Sequence, residues 1–232
     1  MAPPADLPPV PLHPELPPEA TIPDEEELAF RTEDGLLLEA RGHLPAGAKR
    51  VVVLCHPHPL YGGTLHNAIV VSVAKKLVEP KPARVGWLRL NFRGVGKSEG
   101  RYGGGVDEVA DVIAAFGEVR RRLPTAKLAL MGYSFGATVG YNAAVREKGI
   151  DRVSLVAPLL RDLREWTGEY TGALQIVAAS EDQFASVQET NELAQRLGAP
   201  LDLVSGADHF FVRFRREVAG LVSRFIAPEL QP

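Results

Sequence analysis

Short, continuously apolar runs alternate with longer stretches in which apolar residues recur every three or four positions. The short runs are Arg50-Val-Val-Val-Leu-Cys-His56, Arg84 to Asn91, Lys127 to Gly132, Val153 to Ala157, Leu174 to Ala179 and Leu201 to Val204. Runs of this length, several of them rich in β-branched residues, predict strands buried on both faces. Between them lie helical stripes. Ile69, Val70, Val73, Ala74 and Leu77 mark a helix within His66 to Val78. Val109, Val112, Ile113, Phe116, Val119 and Leu123 mark a second, and Ser134 to Glu147 reads as a helix of small residues. Val187, Thr190, Ala194 and Leu197 give a fourth, and Phe211, Phe214, Val218, Leu221, Val222 and Phe225 a C-terminal one. Ahead of all this, Glu27 to Thr32 alternates with Leu28 and Phe30 on one face. Asp34-Gly35 is a hairpin turn pair, and Leu36 to Leu44 reads as the return strand. Strands alternating with helices imply crossovers, so the expected fold is one doubly wound α/β domain. Its sheet is mostly parallel and opens with an antiparallel hairpin.

The stretch before this pattern differs. Nine of the 19 prolines fall within the first 23 residues. Prolines at that spacing remove helix donors and favour extended polyproline-II geometry. The stretch has no basic start and no continuous apolar segment, so it does not read as a signal peptide. It lacks the flanking basic residues that would direct docking to an aromatic groove, and reads as a surface or disordered tail. The expected organisation is a proline-rich extension over 1–24 and an α/β domain over 25–232.

Composition removes several function classes. Lys+Arg total 26 against 29 Asp+Glu, a net charge of −3, which argues against a dedicated nucleic-acid binder. The single cysteine, Cys55, cannot form an internal disulfide and suits a reducing compartment, the cytoplasm. No apolar stretch approaches the roughly 18 residues of a membrane span. His56, His58 and His66 are not completed into a metal site by a nearby carboxylate, and no metal or cofactor is expected. Gly96-Lys97-Ser98 looks like the end of a P-loop, but Asn91 stands where that motif needs glycine.

The chemistry is carried by Gly132-Tyr133-Ser134-Phe135-Gly136, a G-x-S-x-G between a predicted strand and a predicted helix. A turn this tight strains its central residue and raises its hydroxyl at a helix N-terminus, where a developing anion is favoured. A serine hydroxyl needs a base to take its proton. His209 lies in the loop after the last short strand, and Ser180-Glu181-Asp182-Gln183 follows the strand before it. All three positions fall at the carboxyl edge of the sheet, where open α/β sheets place their sites. Taken singly, Ser134, Asp182 and His209 would also suit helix caps or a satisfied loop histidine. Three of them in the order Ser, acid, His favour a catalytic set. Asp208 reads as a local turn residue, and both Glu181 and Asp182 qualify as the acid.

An oxyanion hole needs two donors. The first would be the N–H of Phe135, directly after the serine. The second should come from the loop His56-Pro57-His58-Pro59-Leu60-Tyr61-Gly62-Gly63. Pro57 and Pro59 have no N–H. His58 is therefore the first candidate and Leu60 the second.

These motifs resemble the α/β-hydrolase superfamily, and more narrowly the compact, lidless bacterial serine hydrolases near the dienelactone-hydrolase group. The resemblance runs through His56-Pro-His-Pro59, Gly62-Gly63 and Asn67, Phe92 to Ser98, Gly132 to Gly136, and Asp208 to Phe211, over roughly residues 27 to 226. It implies Ser134 as nucleophile, His209 as base and Asp182 as acid. Asn91 departs from the Asp that many relatives carry before the glycine loop. Dienelactone hydrolases proper use cysteine at the elbow, so their substrate does not carry over.

The expected activity is that of a serine carboxylesterase acting on a small acyl substrate. Alternatives on the same machinery are a thioesterase or small-peptide hydrolase, and outside catalysis a hydrolase-fold binding module. Lids in this fold usually follow the strand Val153 to Ala157, and Pro158 to Ala173 is too short for a helical cap. The site should be open, narrowed by Leu159, Leu160 and Leu163, with Tyr61, Trp166 and Tyr170 touching substrate. That openness suits short-to-medium acyl esters.

Overall fold

Strand β3 (Arg50–Cys55) shows how the continuous apolar runs are used. Val51, Val53 and Cys55 face one hydrophobic core, while Val52 and Leu54 face a second on the other side of the sheet. A strand with apolar layers on both faces has no polar side to show, which is why its sequence does not alternate. A computed structural model describes residues 22–78, 85–159 and 169–228.

The hairpin β1 (Glu26–Arg31) and β2 (Leu37–His43) opens the fold as expected, and β2 then continues antiparallel onto β4 (Val85–Leu90). The remaining strands are β5 (Lys127–Tyr133), β6 (Ile150–Val156), β7 (Ala173–Ala179) and β8 (Leu201–Val204). All eight form one sheet in the order β1-β2-β4-β3-β5-β6-β7-β8, parallel from β4 onward. Helices α1 (Ala68–Val78) and α5 (Arg215–Ile226) cover one face. Helices α2 (Glu108–Arg122), α3 (Phe135–Arg146) and α4 (Val187–Leu197) cover the other. This is the doubly wound α/β fold expected from the pattern.

One boundary moved for a physical reason. The C-terminal helix begins at Arg215 rather than Phe211, because Phe211 holds a left-handed φ of 52° and Asp208 ties up the turn before it. The Asp208 carboxylate accepts the N–H groups of Phe210 (3.1 Å) and Phe211 (3.0 Å), which makes it a turn residue. At the other end, Ile22 is buried in the second core, while Pro23 and Asp24 are exposed. Glu25 follows, its carboxylate held by Arg89 Nε at 2.7 Å and Trp87 Nε1 at 3.3 Å. The Arg89 guanidinium also closes an ion pair on Glu25 and donates to the Leu65 carbonyl at 2.6 Å. The rest of the proline-rich stretch, residues 1–21, lies outside the described residues.

Candidate active site

Ser134 sits between β5 and α3 with φ 53° and ψ −115°. A left-handed non-glycine residue costs on the order of 1–3 kcal/mol and persists only where its surroundings fix it. Here the Ser134 N–H donates to the Val156 carbonyl at 2.8 Å, and the Ser134 carbonyl receives the Ala137 N–H at 2.9 Å. Gly136 lets the first turn of α3 rest on the end of β3: a Cβ there would stand 2.5 Å from the His56 carbonyl oxygen and 2.6 Å from that of Cys55. Both obstacles are backbone, so they cannot move aside.

The loops that follow β7 and β8, at the same edge of the sheet, bring in the partners. His209 Nε2 lies 3.0 Å from Ser134 Oγ, and its Nδ1 lies 2.7 Å from Asp182 Oδ2. Asp182 Oδ1 accepts the N–H groups of Phe184 (2.8 Å) and Ala185 (3.2 Å), which fixes the carboxylate's orientation. The loop that carries Asp182 is closed by a capping box, with Ser186 and Glu189 each holding the other's backbone at the start of α4. Ser134 and His209 are buried, at 6% and 5% exposure, so this hydrogen-bonded chain is shielded from bulk water. Glu181, the other acid considered, is exposed, and its N–H donates to the Ala207 carbonyl.

Two histidines hold the loop after β3. His56 is fully buried, with Nδ1 2.6 Å from the Pro57 carbonyl and Nε2 accepting the Phe92 N–H at 3.2 Å. Burial pulls its pKa down to about 4, so the ring is neutral and Nδ1 carries the proton. The His58 ring lies 4.9 Å from the Phe135 ring, 4.8 Å from Tyr61 and 5.2 Å from Tyr102. Its Nδ1 accepts the Leu60 N–H at 3.2 Å, capping a one-turn 3₁₀ helix, Pro59–Tyr61. That bond corrects one expectation: the Leu60 N–H is engaged inside its own loop and is a poor second oxyanion donor. Phe135 opens α3, so its N–H has no acceptor within the helix. Cys55 is buried, and burial pushes its thiol pKa up, so it acts as core and not as a nucleophile.

The substrate-contact expectations divide. Tyr61 is 38% exposed beside His58 and stays near the site. Tyr170 does not. Its hydroxyl donates to the Ile150 carbonyl at 3.0 Å, at the amino end of β6 and hence at the sheet edge opposite Ser134. Trp166, Leu160 and Leu163 lie outside the described residues. Leu159 is buried.

Other residues at the site carried no expectation. Tyr102 sits 5.9 Å from the Phe135 ring, on a loop whose Gly103 and Gly105 N–H groups donate to the buried Glu108 carboxylate at 2.7 and 2.8 Å. Three consecutive glycines ahead of an acidic helix start were the visible signal. Tyr133, the x of the elbow motif, donates its hydroxyl to the His209 carbonyl at 2.9 Å. Gln183 accepts the His209 N–H at 3.3 Å.

A family model described as serine aminopeptidase, S33, matches residues 46–173, more than half of the chain. The chain belongs to this family. An uncharacterised protein of Rickettsia prowazekii (strain Madrid E) is 30% identical over 179 residues, spanning 72% of this S33-family chain and 74% of its own length. An α/β serine hydrolase homologue from Coxiella burnetii is similar in structure, with a TM-score of 0.76 and 31% identity over 86% of this chain and 96% of that one. A lidless α/β serine hydrolase from Xanthomonas campestris gives a TM-score of 0.76 at 26% identity, covering 91% of this chain and 98% of that one. An esterase of Pyrococcus furiosus shares the fold, at 17% identity and a TM-score of 0.68 over 88% of this chain and 93% of that one. The S33-family chain is thus an α/β hydrolase, and no helix among its described residues is long and apolar enough to cross a membrane.

Proposed function

We propose that this S33-family hydrolase is a cytoplasmic serine carboxylesterase that cleaves short-to-medium acyl esters without a cofactor. The observation that carries the proposal is the unbroken hydrogen-bonded chain from Ser134 through His209 to Asp182. Ser134 Oγ attacks the acyl carbonyl carbon while its proton passes to His209 Nε2. Asp182, held by two backbone N–H groups, keeps the other imidazole proton on Nδ1 and stabilises the imidazolium. The N–H groups of Phe135 and His58 receive the oxyanion. Collapse breaks the ester C–O bond, and the departing alkoxide takes the proton from Nε2. Water then adds to the acyl-serine with His209 again as base, releasing the acid and restoring the Ser134 hydroxyl.

The rim supports an apolar acyl group. Leu60, Tyr61 and Val106 are exposed at 56%, 38% and 63%. They sit on the two loops that meet at His58, Tyr102 and Phe135, where a Cβ on Gly105 would stand 3.2 Å from the Phe135 ring. The Pyrococcus furiosus esterase gives the same reading some support. The family description favours a second one, hydrolysis of an aminoacyl amide by the same set.

A fluorophosphonate probe with an ester, thioester and aminoacyl-arylamide panel tests both. The expected result is labelling that Ser134→Ala abolishes, with turnover highest on esters from acetyl to octanoyl. Turnover highest on the arylamide moves the assignment to a peptidase. A chain that takes no label and turns over none of the panel is a binding module, and the catalytic reading fails.

A further inference from the structure

Ser134 and His209 are 75 residues apart in sequence, yet both are anchored to the end of one strand. Ser134 follows β5 directly. His209 is tied to the same strand by the hydroxyl of Tyr133, which donates to the His209 carbonyl at 2.9 Å. Tyr133 is buried, at 3% exposure, with its ring 5.9 Å from the His209 ring and 6.4 Å from that of Phe211. A ring so enclosed has little freedom to carry its hydroxyl elsewhere. Among the described residues the other side-chain hold on the His209 main chain is longer: the exposed Gln183 accepts its N–H at 3.3 Å. The segment also has a reason to move, since Phe211 two residues on holds φ 52°.

We infer that Tyr133 is a positioning residue, whose hydroxyl fixes the height of the His209 imidazole over Ser134 Oγ. The inference rests on the reading of Ser134 and His209 as nucleophile and base. Tyr133 touches no substrate; it acts through the histidine's main chain. Without its hydroxyl, the buried His209 carbonyl loses an acceptor bond, and the loop relaxes toward any other donor. Burial, then the nearby Asp182 and Asp208 carboxylates, push the Tyr133 pKa up, so the hydroxyl remains a donor across the working pH range. Arg215 opposes that shift.

Tyr170 supplies a matched control, since its hydroxyl also donates to a backbone carbonyl, that of Ile150 at 3.0 Å, at the far edge of the sheet. The experiment compares Tyr133→Phe with Tyr170→Phe in the full chain. It measures kcat and KM on an activated short-chain ester, the rate of fluorophosphonate labelling, the pH profile and the melting temperature. Tyr133→Phe is expected to lower kcat roughly tenfold or more with KM unchanged, because a misplaced base costs rate and not binding. Labelling should slow in proportion, and the acid limb of the pH profile should shift. Tyr170→Phe should keep the wild-type kcat and profile. A Tyr133→Phe kcat within about twofold of wild type, or an equal fall in Tyr170→Phe, overturns the inference. If Tyr133→Phe does not fold, 4-fluorophenylalanine at position 133 fills the place of the hydroxyl without a donor. It should give the same lowered kcat and shifted acid limb, and an unchanged kcat refutes the role. A wild-type chain that takes no label overturns both readings, whereas a labelled wild type with an equally fast Tyr133→Phe overturns this one alone.

Discussion

Asp182→Asn isolates one consequence of the acid's geometry. Oδ1 faces two donors, the N–H groups of Phe184 at 2.8 Å and Ala185 at 3.2 Å, while Oδ2 faces His209 Nδ1 at 2.7 Å. An asparagine in this place must keep its carbonyl oxygen toward the two N–H groups, since an amide NH₂ there would point donor at donor. Its NH₂ is therefore turned toward His209 and donates to Nδ1. The imidazole proton moves to Nε2, the nitrogen that should accept from Ser134 Oγ. The base is present, correctly placed and in the wrong tautomer. The same substitution in the general serine-protease template lowers kcat by about 10⁴, equivalent to about 5.5 kcal/mol of barrier. The turn at Phe184 and Ala185 keeps its acceptor, so the melting temperature should change little. Steady-state hydrolysis of an activated ester, fluorophosphonate labelling and thermal melting measure the three quantities. A folded Asp182→Asn that retains more than about a tenth of wild-type kcat refutes the tautomer argument. If Glu181→Gln instead shows the large loss, the acid lies one residue earlier.

Two further outcomes follow from buried polar groups. His56 has a folded pKa of about 4 against an ordinary 6.5, so between those values the unfolded chain binds more protons and stability rises with pH. The gain is on the order of 3 kcal/mol, complete above about pH 6.5 and lost toward pH 4. Urea unfolding from pH 4 to 7 should show this slope, and His56→Gln should flatten it; an unchanged slope refutes the assignment to His56. At Asn91, Oδ1 accepts the Leu65 N–H at 2.7 Å and Nδ2 donates to Glu39 Oε2 at 2.7 Å. Asn91→Asp would set two carboxylates against each other, one of which must take up a proton. A loss of about 2–4 kcal/mol at pH 8, shrinking toward pH 5, is expected in the same unfolding assay, and equal stability at both pH values would refute it.

The strands and helices were legible because each repeats a short pattern, and so was the order of Ser134, Asp182 and His209. These are properties of neighbours in sequence. What stayed hidden depends on where a loop travels. Tyr170 belongs to the crossover from β6 to β7, which starts at the site's edge and ends at the other; an aromatic there can belong to either, and this one packs at the far edge. The Leu60 N–H looked available because sequence does not show the His58 side chain turning back onto it. Asn91 stood out as a departure. Its reason, an amide needed as donor and acceptor at once, appears only when Glu39 and Leu65 are seen on either side of it. Tyr133 was quoted in the elbow motif without a role, since its partner lies 76 residues away.

The contact between Glu25 and Arg89 sets a limit on shortening the chain from its amino end. Arg89 is fully buried at its guanidinium, bound on one side by Glu25 and on the other by the Leu65 carbonyl, just beyond the loop that carries His58. A version beginning at Ala20 keeps Ile22 in its core and Glu25 on its arginine. A version beginning at Glu26 strands a buried cation, a defect of about 3–5 kcal/mol, which is a large part of what holds a domain of this size together. The point at which a shortened chain keeps both contacts therefore lies ahead of Ile22, and a protease cutting just after Glu25 would take from the Arg89 guanidinium of β4 the carboxylate that neutralises it.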